Sequence, residues 1–600
     1  MIHVNRKELC CGCNACGDVC SNKAISFEAD EEGFLYPSVD AGKCTGCGLC
    51  EKVCPVANVS DYKNNDLEQS VCYAAENKNL EVVFDSTSGG IFSVLADKVY
   101  KDGGYVGGAV FDGNYRKVFH FISNDRRDLA RLRSSKYLQS DASGFYAEVR
   151  RLLRNGEKVL VCGTPCQMVA LRAFLGRDYD NLIIVDFICR GINSPKVWEK
   201  YMDSFEERYG SRAVWAKSKS KEYGWRNLTQ KVILEDGRHI YETKDVNNFL
   251  KGYLVTNAYC RPSCYECAFK GYPRMSDITL ADFWGIEGVG NFNDKDLGTS
   301  LVMLNSKKGV GFFEQIKSRT RNMEVPFEKV ERGNPSLVQS LEYPGIDRKR
   351  FFEDLDKMSF VKLADAYFNG EKPDTLAHRL KKILRYVWRI ICVTRMNPRA
   401  LVQFFRYNTA VEIFAGNVIV PAPHCVISFD RTSVVHKLGI TVLGEKFHFR
   451  KSSLETRLYA GRNAEIYFGP DTVIGYGADI EVFDNAVLVF KGNGGCNIGA
   501  TIICADRIEF GKDVRMGRNV TVRDNNGEHY INRQGYRNSR PVIVGDKVWL
   551  CEQSMVLSGV KIGDGAIVGA RSLVIGNLPP HSMASGNPAE VIDEDVYWKY

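Results

Sequence analysis

Cysteines near the amino terminus stand at Cys10-x-x-Cys13-x-x-Cys16-x-x-x-Cys20 and again at Cys44-x-x-Cys47-x-x-Cys50-x-x-x-Cys54-Pro55. Thiolates are soft ligands that suit iron–sulfur clusters, and two runs of short steps closed by a longer one form a cluster-binding spacing. Two other chemistries compete for these residues. Zinc sites rarely carry three thiolates at two-residue gaps with a further one beyond. Disulfides need an oxidising compartment; no N-terminal segment reads as a signal peptide, so the expected setting is the reducing cytoplasm. Cys11, beside Cys10, reads most simply as an extra buried thiol.

All eight positions match bacterial two-cluster ferredoxins, which this segment resembles. The resemblance implies two 4Fe-4S clusters with crossed ligation, Cys10, Cys13 and Cys16 with Cys54, and Cys44, Cys47 and Cys50 with Cys20. Ser21 stands where the first run usually has Pro and removes no ligand. Such a segment carries electrons one at a time and does no chemistry on a substrate, so the remaining residues must supply the reaction.

Six hundred residues exceed what one core supports, and about three or four domains are expected. With 44% hydrophobic and 26% charged residues the chain reads as ordinary globular protein. A net charge of +7 without a basic stripe interleaved with aromatics argues against nucleic-acid binding. No apolar run approaches the ~20 residues that span a bilayer. The cysteine count of 21, concentrated before Pro55, points to metal rather than bridges.

Ser86-Thr87-Ser88-Gly89-Gly90 precedes an apolar-periodic segment from Ile91 to Tyr100. Small residues opening a helix let backbone N–H groups approach a phosphate, and they also make a plain cap. Farther on, Val159 to Cys162 reads as a buried strand, Gly163-Thr164-Pro165 as a turn, and the stretch to Leu175 as a helix with Pro in its first turn. A second strand pattern, Leu182 to Ile188, leads into Cys189-Arg190-Gly191, so Cys166 and Cys189 should share the crevice at the carboxyl ends of parallel strands. With the pair Cys264 and Cys267 they make four thiols, enough for a third cluster. The spacing leaves open that Cys166 and Cys189 are buried small hydrophobes and Cys264 with Cys267 an isolated pair.

Residues 67 to about 290 resemble the coenzyme F420 hydrogenase/dehydrogenase beta-subunit family of iron–sulfur flavoproteins. The resemblance rests on Ser86 to Gly90, Ser135-Lys136-Tyr137, Gly163 to Gln167, Cys189 to Gly191, Cys264 with Cys267, and Asp282 to Gly285. It implies FAD near Ser88, Gly89, Gly90 and Lys136, and a 4Fe-4S cluster on Cys166, Cys189, Cys264 and Cys267. Arg190 stands where the family commonly has His. One-electron clusters would then feed or drain a two-electron centre able to exchange hydride with an organic substrate.

Thr375 to Arg395 places Leu376, Leu380, Ile383, Leu384, Val387, Ile390 and Ile391 opposite five basic residues at helical spacing. Such a helix can lie on an anionic membrane surface or pack its apolar face on a neighbouring domain. Beyond it, every sixth residue from Phe468 through Ala486, Gly492 and Ile498 to Val522, and again from Val544 to Val574, is small or apolar. A hexapeptide period is the signature of a parallel β-helix. The interruption from Arg523 to Ile543 carries Asp524 and His529, and a His with near-neutral pKa can remove a hydroxyl proton; it can equally be a solvated surface His. Arg523 to His529, Val544 to Trp549, Gly559 to Gly563 and Gly586 to Ala589 resemble left-handed β-helix sugar O-acetyltransferases. That family implies a homotrimer, acetyl-CoA in the groove between coils beside Trp549, His529 as the base and Asp524 as its orienting partner. The chain departs from the pattern at Leu550-Cys551, Arg571 and Gly576, which bears on the donor's affinity more than on the fold.

The expected fold is therefore multidomain: an α+β ferredoxin domain (1–60), an α/β iron–sulfur flavoprotein domain (67–345), a helical basic connector (346–410) and a left-handed parallel β-helix (411–600). The expected function is an iron–sulfur flavoprotein oxidoreductase fused to an acetyl-CoA-dependent O- or N-acyltransferase acting on a sugar, nucleotide sugar or polysaccharide precursor. A ferredoxin or flavodoxin would be the electron donor. The alternative is an electron-transfer subunit for a separate partner, with the coil serving as a trimerisation scaffold. The expected location is the cytoplasm, with the inner face of the membrane as the site of any peripheral contact.

Overall fold

The computed structural model describes residues 2–598 apart from 63, 290–291, 293–295, 370–385, 448–451, 528 and 530–534. The chain divides into two units, Met1–Glu371 and Lys372–Tyr600. In the first unit, an antiparallel hairpin of β1 (Ile25–Ala29) and β2 (Leu35–Val39) accompanies two short helices, Ala15–Asp18 and Leu49–Lys52. Each helix begins inside a Cys-x-x-Cys step, at Asn14 and Gly48, both left-handed with φ of 67° and 74°. Asn and Gly are the residues that adopt this conformation at least cost, and it turns each loop back on itself.

This segment docks on the body through polar contacts that cross long stretches of chain. The Asp18 carboxylate accepts from the Gly144 and Tyr146 amides at 2.6 and 3.0 Å, at the amino end of the helix Phe145–Arg154, where a carboxylate complements the dipole. The Tyr146 hydroxyl donates to the Cys13 carbonyl at 2.8 Å.

Among the described residues of the body, nine strands form one mixed sheet. In chain order they are β3 (Val71–Asn77), β4 (Tyr105–Phe111), β5 (Val118–Ser123), β6 (Ser140–Asp141), β7 (Val159–Gly163), β8 (Leu182–Phe187), β12 (Ile278–Asp282), β13 (Ser300–Leu304) and β14 (Thr320–Val325). A separate antiparallel sheet holds β9 (Ala213–Ser220), β10 (Thr229–Leu234) and β11 (His239–Glu242). The centre of the large sheet, β4, β7, β8 and β12, is parallel. Its strands are buried on both faces, as parallel strands are, which is why they read as near-continuous apolar runs. Val159, Val161, Leu182 and Ile184 pack toward the helices Phe145–Arg154 and Pro165–Leu175, while Leu160, Ile183 and Val185 pack toward Ile91–Lys101.

The strand–turn–helix expected at Val159–Leu175 is present. Thr164 and Gln167 form a reciprocal capping box and Pro165 opens the helix, so Cys166 lies in the first turn directly beyond β7. Of the expected connector, Arg348–Lys357 and Phe360–Tyr367 pack Phe351, Phe352, Leu355, Phe360 and Leu363 into the first unit's core with Trp198, Tyr201 and Phe205. Residues 375–385 of the basic helix lie outside the described residues. Its remainder, 386–394, is helical in the second unit, with Ile390 turned toward the coil and Trp388 exposed.

The second unit stacks three parallel sheets side by side, the arrangement of a parallel β-helix. Phe468, Phe490, Phe510, Val544 and Ile562 stand in register down one column, and the first three rings stack with centroids 5.8 and 4.9 Å apart. The strict sixfold register needs correction between 482 and 496. Gly492 is a turn residue with φ of 105°, and the inward residues are Phe490 and Cys496 instead of Gly492 and Ile498. The physical reason is coil length: Phe468 pairs with Phe490 and Phe490 with Phe510, spacings of 22 and 20 residues, whereas Val544 pairs with Ile562 at three hexapeptides. Asn485 and Asn493 occupy left-handed corners of the longer turns. The coil also begins earlier than the hexapeptide pattern, at Val418–Pro421.

Candidate functional site

The two loops with left-handed turns bring thiols into the protein interior. Burial and the neighbouring Cys13, Cys10 and Cys54 push the Cys16 thiol well up, and burial followed by Cys13 and Cys10 raises Cys54. Cys10, Cys13, Cys16 and Cys54 therefore lie near enough to one another to interact electrostatically. Of the other four, Cys20 accepts from the Ala24 amide at 3.3 Å, Cys50 from the Ile2 amide at 3.4 Å, and Cys47 is exposed. Soft sulfur donors supported by N–H groups fit iron–sulfur clusters.

Cys166, Cys189, Cys264 and Cys267 line one small cavity of about 50 Å³. Cys189 is pushed up by burial first and then by Cys264 and its other two neighbours, and Cys264 is pushed up to about 12 by burial with Cys267 and Cys166 contributing. The crevice expected at the ends of β7 and β8 thus holds four soft donors, a set suited to a further cluster. Cys11 is buried, as expected, and has a location that composition does not reveal. Its thiol lies against Cys13 and Cys166, whose sulfurs together with burial push it up, so it stands between the ferredoxin-type set and this one.

Across Cys11 and Cys189 lies a much larger cavity of about 510 Å³, whose wall includes Ser86 to Ser88, Gly90 to Ser93, His120, Lys136, Cys162, Arg190, Lys219, Asp282 and Trp284. The helix Ile91–Lys101 presents its amino end here without a side-chain cap. Gly89 is a requirement of packing: a Cβ would lie 2.4 Å from the Ala75 carbonyl oxygen and 2.8 Å from the Ser300 amide nitrogen. The Ser88 hydroxyl donates to the Thr299 carbonyl at 2.7 Å, which leaves main chain to face the space. Lys136 lines the wall, but its ammonium donates to the carbonyls of Arg131, Leu132 and Arg133 at 2.7, 3.1 and 2.9 Å. Burial brings it down to about 7. It is better described as a clasp on that turn than as a free cation. Arg190 donates to Asn257 and to the Leu254 carbonyl.

Sequence reading missed two residues of this wall, His120 and Lys219. His120 on β5 is buried, with Nδ1 3.1 Å from the Ser140 hydroxyl and no protein partner for Nε2. Gln167 donates to Ser140 at 2.9 Å and leaves the serine proton free to point at Nδ1, a contact that suits the tautomer with its proton on Nε2. Burial lowers His120 to about 4 and keeps the ring neutral. Lys219, also buried, pairs with Asp282 at 2.7 Å and lies over the rings of Trp225 and Trp284, which stack 4.3 Å apart. Gln167, within the Gly163 to Gln167 motif, joins the Thr164 hydroxyl to Ser140 through its amide. The available signal was a polar residue at an inward strand position: His120 alternates with Phe119 and Phe121 on the face of buried Val118.

In the second unit His529 is exposed on the excursion from the coil. Asp524 is fully buried and has a task other than orienting that imidazole. Its carboxylate accepts from the Ala505 and Asp506 amides at 2.8 Å each and from the Asn525 amide at 2.9 Å, and its carbonyl accepts from the Arg540 amide, so it fastens the base of the excursion. Trp549 is part-exposed on the coil beside Trp598, centroids 5.7 Å apart. Leu550 points into the coil, and Arg571 occupies a left-handed corner with φ of 59°.

Comparison with known proteins follows the same division. Residues 9–58 match the 4Fe-4S dicluster domain, and residues 156–329 match the C terminus of the coenzyme F420 hydrogenase/dehydrogenase beta subunit. A putative lipopolysaccharide biosynthesis O-acetyl transferase, WbbJ, of Escherichia coli (strain K12) is 28% identical over 22% of this chain and 74% of its own. The galactoside O-acetyltransferase of Escherichia coli (strain K12) is 28% identical over 26% of this chain and 77% of its own. A chain of the F420-reducing [NiFe] hydrogenase complex from Methanosarcina barkeri, solved in a xenon derivative, is 20% identical over 49% of this chain and 92% of that chain, with a TM-score of 0.32.

Proposed function

We infer that the segments of this chain similar to a 4Fe-4S dicluster domain, to a hydrogenase/dehydrogenase beta subunit and to acetyltransferases work as parts of one enzyme. We propose that it is an iron–sulfur flavoprotein oxidoreductase fused to an acetyl-CoA-dependent acetyltransferase whose acceptor is a sugar or a polysaccharide precursor. The observation that carries the redox half is the shared wall: four converging thiols on one side and a 510 Å³ cavity with an uncapped helix amino end on the other. A bound flavin would supply two-electron chemistry beside one-electron carriers. The uncapped end of Ile91–Lys101, behind Gly89 and Gly90, suits its phosphates, since free N–H groups and the helix dipole favour anions there. His120 offers an N–H at Nε2 to a ring in the cavity, held in that tautomer by Ser140 and Gln167. Lys219 and Asp282 hold Trp284 as one flat wall. A donor of the ferredoxin or flavodoxin type would meet the outer set of thiols, where Cys47 is exposed.

For the transferase half, His529 would take the acceptor hydroxyl proton, its exposure leaving it reachable by a polymeric acceptor, while Trp549 would flank acetyl-CoA in a groove of a left-handed homotrimeric coil. Incubating anaerobically purified protein with acetyl-CoA and a panel of galactosides and nucleotide sugars, with mass detection, tests this half. An acetylated product that disappears in His529→Ala supports it; equal product from both proteins refutes the role of His529. No product with any acceptor favours the second reading, a scaffold for an electron-transfer module.

A further inference from the structure

Arg261 is completely buried, and its guanidinium crosses from the body of the first unit to the ferredoxin-type segment. Nε donates to the Cys10 carbonyl at 2.8 Å, Nη1 to the Gln139 side-chain oxygen at 3.0 Å and Nη2 to the Leu35 carbonyl at 3.0 Å, while Nη2 also lies 3.5 Å from Cys10 Sγ. The group lies over the rings of Phe34 and Tyr36 at 5.4 and 4.2 Å. These partners are all neutral apart from the cysteine sulfur, and no carboxylate is among them. A buried guanidinium is tolerated when a counter-charge pairs with it. Arg274, the other buried arginine of the described residues, obeys that rule with Asp186 at 2.7 Å. Arg261 obeys it only when the sulfurs beside it are thiolates carrying the negative charge of an assembled cluster.

We propose that Arg261 is the fixed counter-charge of the inner cluster, the one held by Cys10, Cys13, Cys16 and Cys54, and that it raises the reduction potential of that cluster. The argument is Coulombic. Accepting one electron makes the cluster more negative, so a permanent cation at hydrogen-bond range favours the reduced form over the oxidised one, and low local dielectric strengthens the effect. Among the described residues the outer set has backbone amides as sulfur partners, at Cys20 and Cys50, and no buried arginine beside it. An electron passed from outer to inner cluster, the first reoxidised as the second is reduced, therefore comes to rest at the set that touches Cys11, with Cys166 on the other side of that thiol. Arg261 acts through the cluster and is a positioning residue.

The inference rests on the reading that the Cys10 set binds a cluster, and the test separates the two. Full-length protein purified without oxygen is titrated with dithionite and followed by the electron paramagnetic resonance of its reduced clusters; Cys10→Ser marks the wave of the inner cluster. Arg261→Met should lower that wave by at least about tenfold in the reduced-to-oxidised ratio at fixed potential, about 59 mV for one electron, with the other waves unmoved. Arg261→Lys should retain most of the wild-type value. Gln139→Glu keeps the arginine and gives the guanidinium a carboxylate partner, at the loss of the amide's 3.4 Å contact to the Gly12 carbonyl, and should lower the same wave. Iron content equal to wild type with unmoved waves in Arg261→Met and Gln139→Glu overturns the proposal. If Arg261→Met fails to assemble, Gln139→Glu decides alone. Wild-type protein lacking iron overturns the cluster reading itself.

Discussion

Replacing His120 by asparagine should flatten the acid limb of the stability curve. The imidazole has an ordinary pKa of 6.5 in the unfolded chain and about 4 in the fold, because burial disfavours the charged ring; Asp141 pulls weakly the other way. Between those values the unfolded chain binds a proton that the native chain does not, so stability rises with pH across the window and is lost as pH falls from about 6.5 toward 4. Worked from these two values, acidifying from pH 7 to pH 5 costs about 2 kcal/mol through this one group, approaching about 3 kcal/mol below pH 4. Asparagine can keep the Ser140 contact and does not titrate. Urea midpoints of the anaerobic protein, followed by tryptophan fluorescence at pH 7 and pH 5, should therefore fall less in His120→Asn than in wild type by the equivalent of about 2 kcal/mol. Parallel losses in the two proteins would refute the claim that burial keeps the His120 ring neutral in the fold.

Cys189→Ser should remove one cluster's worth of iron and sulfide and leave the other two, as measured by metal and sulfide analysis alongside the visible spectrum. Gly89→Ala should abolish flavin retention and destabilise the first unit, since its methyl would sit 2.4 Å from the Ala75 carbonyl oxygen; flavin fluorescence after heat release measures the former. Phe490→Ala should cost about 3–5 kcal/mol in the coil by opening a cavity between Phe468 and Phe510, seen as an early thermal transition. Burial raises the Asp97 carboxyl but Arg126, Arg319 and Lys101 overcome it and hold it at about 2. Its contribution is thus present above about pH 4 and lost as pH falls toward 2, by about 1–2 kcal/mol after screening. Asp97→Asn should be less stable than wild type at pH 7 and nearly equal to it at pH 2 in the same urea assay.

What was legible in the chain was whatever chemistry or period is written locally. The eight-cysteine spacing before Pro55 announces the dicluster domain that residues 9–58 match, Thr164-Pro165-Cys166-Gln167 announces its own helix start, and the sixfold period from Val544 onward announces its coil. What stayed hidden depends on distant partners. Arg261 meets Cys10 across 251 positions, and His120 acquires meaning only from Ser140 and the cavity. The resemblance implies FAD near Lys136, and Lys136 does line the cavity, but that three carbonyls of its own turn take its ammonium shows only in the fold. The resemblance implies Asp524 as the orienting partner of His529, whereas in the fold backbone amides of the coil take its carboxylate. The register slipped at Gly492 because corner insertions lengthen a coil without changing the apolar character of its residues.

The most direct test of the whole account is the cofactor inventory of protein purified and analysed without oxygen. Iron and acid-labile sulfide sufficient for three four-iron clusters, together with one flavin per chain, is the expected result. Iron for two clusters or fewer, or a chain that retains no flavin after reconstitution, would contradict it.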